Sequence, residues 1–118
     1  MKIAIIGRTS MLMKTAKLLL DNGFEIGAII TSPASPEYSV TENDYEDLAK
    51  SLGVYYICTT KINSIVDELK NLKCDIGVSM NYSSTISNEI VNCFKLGILN
   101  AHLGDLPRYR GNATPNWA

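Results

Sequence analysis

Apolar residues along this chain alternate between two patterns. Short continuous runs occur at residues 3–6, 24–31, 54–58, 76–80 and 97–101, with the length and β-branched content of buried strands. Between them, apolar residues recur at helical spacing. Leu12, Ala16 and Leu19 mark one helix, with Thr9 or Ser10 as its cap and Asn22-Gly23 as its close. Tyr45, Leu48, Ala49 and Leu52 mark a second, with Asn43 capping, Glu46 in the capping-box position and Gly53 ending it. Ile62, Ile65, Val66, Leu69 and Leu72 mark a third. Ser84 or Thr85 begins a short fourth helix that runs through Phe94. Residues 31–43 carry two prolines and three serines with no period, so they form the longest irregular segment.

Strands and helices alternate with almost no hairpin signals. This predicts an α/β domain with a mostly parallel sheet and helices on both faces. Ligands of such sheets sit beyond the carboxyl ends of the strands, which is where chemistry is to be sought.

Composition narrows the classes. The chain has 118 residues, 46% of them hydrophobic, and a formal net charge of −1. That length allows one domain or part of a larger one. The apolar content excludes a disordered chain. The charge balance argues against a dedicated nucleic-acid binder. Cys58, Cys74 and Cys93 read as ordinary buried thiols of a reducing compartment. No segment is long enough for a signal-peptide core or a membrane span, so the expected location is the cytoplasm, away from membranes. No metal-ligand cluster is present.

The first strand-to-helix turn, Gly7-Arg8-Thr9-Ser10, lacks the three glycines of a dinucleotide site. The fifth strand is more informative. Side chains alternate along a strand, so Asn100 and His102 share one face at its carboxyl end. An amide donor beside a group that titrates near neutrality suits acyl chemistry. His102 is the one histidine in the chain. Beyond it, Arg108 and Arg110 flank a tyrosine in a Pro- and Gly-containing loop and could grip phosphate or carboxylate.

The stretch Asn100-Ala101-His102-Leu103-Gly104-Asp105-Leu106-Pro107-Arg108-Tyr109-Arg110-Gly111 resembles the N-x-H-x-S-L-L-P-x-x-R-G signature of formyltetrahydrofolate-dependent formyltransferases. That family includes enzymes acting on methionyl-tRNA, on glycinamide ribonucleotide and on amino sugars. Residues 48–54 are similar to the family's second helix and third strand, and residues 72–76 to its approach to the fourth strand. Gly104 and Asp105 depart from the family's Ser and Leu.

The resemblance implies a three-layer Rossmann-like fold and transfer of a formyl group from 10-formyltetrahydrofolate to an amine. Asn100 would donate to the developing oxyanion, and His102 would assist with charge and proton. Tyr82, Ser84, Thr85, Ile86 and Leu106 would hold the folate, and Arg108 and Arg110 the acceptor. The family's third catalytic residue, an aspartate, lies a few dozen positions past the histidine. The chain therefore reads as the N-terminal part of a catalytic domain, ending inside the start of a helix and inactive alone. The expected acceptor is a nucleotide-linked amino sugar. The paired arginines depart from the glycinamide ribonucleotide branch, and Asn116-Trp117 is similar to the sugar branch. Methionyl-tRNA is the alternative acceptor, and a non-catalytic module that keeps the folate-shaped cleft is the alternative class.

Overall fold

A computed structural model describes residues 1–101 and the backbone of residues 116–117. Six strands form one sheet in the order β3-β2-β1-β4-β5-β6. These are β1 (Lys2–Gly7), β2 (Glu25–Thr31), β3 (Tyr55–Cys58), β4 (Ile76–Met80), β5 (Ile98–Ala101) and β6 (Asn116–Trp117). The first five are parallel, and β6 pairs antiparallel to β5. The chain runs outward from β1 to β3, then returns to place β4 on the other side of β1. That reversal makes β1/β4 the switch point of a doubly wound sheet.

The expected three layers are present. On one face α1 (Ser10–Asp21) and α2 (Glu42–Leu52) bury Leu12, Met13, Ala16, Tyr45 and Ala49 against Ile3, Ile5, Ile26 and Ile29. On the other, α3 (Val66–Leu72) and α4 (Asn88–Val91) bring Leu69 and Ile90 against Ala4, Ile6, Ala28, Ile30 and Ile98. Ile5, Ile6, Ile29 and Ile30 have no exposed surface. At about 1.5–3 kcal/mol for each fully buried side chain, β1 and β2 anchor the core. A bulge at Gly27 shifts the β1–β2 register between Ile3 and Ala4. A Cβ there would sit 2.3 Å from Lys2 Cε. The Lys2 stem fills that space and its ammonium donates to the Leu72 carbonyl at 2.9 Å.

Several boundaries differ from expectation. The cap of α2 is Thr41, not Asn43. Thr41 accepts from the Asn43 N–H, and the Asp44 carboxylate accepts from the Thr41 N–H at 2.8 Å. The third helix is broken into a 3-10 turn at Ile62–Ser64 followed by α3. Ser64 turns its hydroxyl onto the Lys61 carbonyl at 2.7 Å, a local bond that competes with helix continuation. Helix α4 begins after Ser87 rather than at Ser84 or Thr85, because the Ser84 hydroxyl is engaged elsewhere. Thr9 occupies the cap position of α1, but neither it nor Ser10 caps with its side chain. The expected helix start near the chain end is instead strand β6. Cys74 is buried, Cys93 is half-buried and Cys58 is exposed, all three free. No described helix is long and apolar enough to cross a membrane.

Candidate active site

At the carboxyl end of β4, Asn81 adopts φ 52° and turns the chain out of the sheet. Residues 82–86 then run along the sheet edge as an irregular strip before Ser87 caps α4, its hydroxyl accepting from the Ile90 N–H. Because α4 is one turn long, it leaves the ends of β4 and β5 uncovered among the described residues. A cavity of about 560 Å³ opens there, within the usual range for small-molecule sites. Val91, Ile98 and Ile86 supply apolar lining, and Ser79, Asn88 and Asn100 supply polar groups. Asn100 is the penultimate residue of β5 and lies in register with Ser79 of β4 and Asn116 of β6. It is half-buried.

The strip is held from behind by the connection after β3. The Tyr82 hydroxyl donates to the Thr59 carbonyl, and burial is the main cause of a phenol pKa above its ordinary value. The Ser84 hydroxyl donates to the Thr60 carbonyl at 2.7 Å. The Asn63 amide donates to the Thr85 carbonyl at 3.2 Å and accepts from the Ser87 N–H at 3.0 Å.

Across the switch point, the β1–α1 turn is built differently. Gly7 has φ 138°, and a Cβ there would lie 1.9 Å from the Met80 carbonyl oxygen. The Arg8 N–H donates to that same carbonyl at 3.0 Å. The Arg8 side chain donates to the carbonyls of Asn81 and Pro33, at 2.9 and 3.2 Å, with its guanidinium 5.2 Å from the Tyr38 ring centroid. It thereby ties the strip to the irregular segment after β2. Thr9 has φ 89°, held by the Tyr45 hydroxyl, which donates to its carbonyl at 2.5 Å. Among the described residues, the Thr9 and Ser32 hydroxyl oxygens are buried without a partner.

Of the residues singled out in the sequence, Asn100, Tyr82, Ser84, Thr85 and Ile86 line one cavity. His102, Leu106, Arg108 and Arg110 lie outside the described residues, as do Gly104 and Asp105. Sequence reasoning missed Ser79, Asn88, Val91 and Ile98, which only the β4–β5 register and the shortness of α4 bring to the cavity. It also missed Asn63 and Arg8, whose roles depend on contacts across the sheet edge. The arrangement offers an amide donor beside an apolar floor and a strip of backbone polar groups. That set can bind a flat polar heterocycle and hold negative charge on a reacting oxygen.

A family model described as formyl transferase matches residues 1–118. A methionyl-tRNA formyltransferase of Alkaliphilus oremlandii is 30% identical over 99% of this chain and 39% of its own length. Among solved structures, a phosphoribosylglycinamide formyltransferase from Bacillus halodurans aligns with a TM-score of 0.65 at 17% identity, over 92% of this chain and 59% of that one. A sugar N-formyltransferase from a Shewanella species aligns at 0.57 and 19% identity, over 91% and 41%. The chain spans about two fifths of the length of the curated relative.

Proposed function

The chain belongs to the formyl transferase family, and from that premise we propose that the protein carrying it transfers a formyl group from 10-formyltetrahydrofolate to an amine. The observation that carries this reading is the convergence of Asn100 with Tyr82, Ser84, Thr85 and Ile86 on one cavity. The cavity volume and its mix of apolar floor and polar rim fit a pterin-sized ring. When bound, 10-formyltetrahydrofolate supplies a formyl group on nitrogen, an activated acyl donor.

The residues of the chain do the rest. As the amine attacks the formyl carbon, electrons move onto the formyl oxygen, and the Asn100 side-chain N–H donates to that oxygen. His102, two positions on in the sequence, shares the charge and carries the proton released by the amine to the donor nitrogen of the folate, which leaves as its bond to the formyl carbon breaks. Leu106 adds to the folate side, and Arg108 and Arg110 hold the anionic part of the acceptor. The chain forms the N-terminal part of the catalytic domain, in a cytoplasmic protein.

The acceptor in this reading is an amino sugar carried on a nucleotide, supported by the near-neutral charge of the chain and by Asn116-Trp117. Methionyl-tRNA is the second reading, favoured by the curated relative. The test offers the protein 10-formyltetrahydrofolate with a panel of nucleotide-linked amino sugars or with charged initiator tRNA. Formylated sugar is the expected product. Formylated tRNA alone overturns the acceptor and keeps the reaction, whereas no transfer to either overturns the reaction. Asn100→Ala and His102→Ala should each lower kcat by about 10²–10³-fold. Unchanged turnover removes that residue from the mechanism.

A further inference from the structure

We infer that Asn63, a residue outside the cavity, is the positioning residue that sets the backbone of the cavity wall, an inference that rests on the folate reading above. Residues 82–86 have no ladder partner among the described residues, so their peptide groups need others to fix them. The bonds from Tyr82 and Ser84 attach side chains of the strip to the carbonyls of Thr59 and Thr60 and leave its backbone free to rotate. Asn63 grips the backbone itself. Its amide donates to the Thr85 carbonyl and accepts from the Ser87 N–H, the two groups that bracket Ile86.

The consequence follows from peptide geometry. The C=O and N–H of a trans peptide point in opposite directions. With the Thr85 carbonyl turned toward Asn63, the Ile86 N–H points away from it. With the Ser87 N–H turned toward Asn63, the Ile86 carbonyl also points away. Neither Ile86 group bonds to another described residue. Ile86 lines the cavity while residues 59–63 do not. One side-chain amide therefore presents a donor and an acceptor, side by side, on the cavity side of the strip. Such a pair matches the amide-like edge of a pterin ring. An exposed side chain on a different crossover sets the recognition edge.

Asn63 is exposed, so its replacement leaves the core intact. Two measurements on Asn63→Ala and Asn63→Asp test the inference. The first is amide hydrogen exchange over residues 82–87. The second is affinity for 5-formyltetrahydrofolate, an isomer of the donor with its formyl group on the other nitrogen. Asn63→Ala should speed exchange at Ser87 and weaken binding about tenfold, with the thermal midpoint and the KM for the acceptor unchanged. Asn63→Asp keeps the acceptor for Ser87 and loses the donor to Thr85, so its affinity should fall between the two. Unchanged exchange at Ser87, or unchanged affinity in Asn63→Ala, overturns the inference. Accelerated exchange in a protein whose unsubstituted form binds no folate overturns the folate reading and leaves the Asn63 grip standing.

Discussion

The crossover from β1 to β2, residues 8–24, and the crossover from β4 to β5, residues 81–97, are equal in length and opposite in construction. The first spends 12 residues on α1 and seals its face of the sheet. The second spends only 4 on α4, and residues 82–87 before it lie along the sheet edge with partners borrowed from residues 59–63. The same chain length thus makes a packed layer in one place and a lined cavity in the other. What decides between them is where the local hydrogen bonds go. Helix α1 satisfies its own backbone, whereas the strip before α4 hands its polar groups to a neighbouring loop.

If this contrast is right, substitutions in the first crossover act on stability and those in the second on the cavity. The largest effect is expected at Gly7, the last residue of β1 and the entry to the first crossover, where φ 138° and the 1.9 Å approach to the Met80 carbonyl leave no room for a methyl group. Gly7→Ala should cost about 3 kcal/mol or more, read as a lowered urea midpoint. A midpoint equal to that of the unsubstituted protein would break the contrast at its strongest point.

A smaller effect concerns alkaline pH. Burial above all pushes the Tyr45 phenol well above its ordinary range. Tyr56, also on the α1/α2 face, is pushed up to about 12 by burial and then by Cys58, Glu46 and Glu42. An unfolded tyrosine loses its proton near pH 10, while these keep theirs. Their contribution to stability is full below about pH 10 and is lost progressively above it. The urea midpoint should fall between pH 8 and pH 11, and Tyr45→Phe should shrink that fall. An identical fall in the variant would remove Tyr45 from the account.

The smallest effect on stability is expected in the strip. Ser84 is exposed and bonds one loop carbonyl. Ser84→Ala should change the unfolding free energy by no more than about 0.5 kcal/mol while weakening folate affinity measurably. A stability loss as large as that of Gly7→Ala would make the strip part of the core and erase the distinction.

The sequence disclosed the parts of this fold that are periodic. Five strands and the helix containing Leu12, Ala16 and Leu19 follow from patterns that local packing enforces. That Asn100 meets residues 82–86 at one cavity was also within reach, Asn100 through the alternation of side chains along the fifth strand and the strip through the family resemblance. The misplaced helix caps share one cause. Both Thr41-x-x-Asp44 and Asn43-x-x-Glu46 spell a capping box. The choice is made by contacts distant in sequence: the Glu42 carbonyl accepts from the Tyr56 hydroxyl, and its carboxylate from the Ala34 N–H. Likewise Ser84 is a good cap in isolation, but Thr60 claims its hydroxyl. Asn63 sits in a stretch of helical spacing, yet its side chain takes both its partners from beyond residue 80. Polar side chains that choose between a local and a distant partner cannot be read from spacing alone.

The bulge at Gly27 has a consequence for descent. The missing side chain and the Lys2 stem occupy one volume, and the Lys2 ammonium reaches Leu72 only by crossing it. A side chain gained at position 27 evicts Lys2 and orphans its bond. Position 27 can therefore gain a side chain without conflict only after residue 2 has given up that path. The dependence runs in one direction, because a shorter residue at position 2 leaves Gly27 undisturbed, so order of change, and not only the changes themselves, is written into this corner of the sheet.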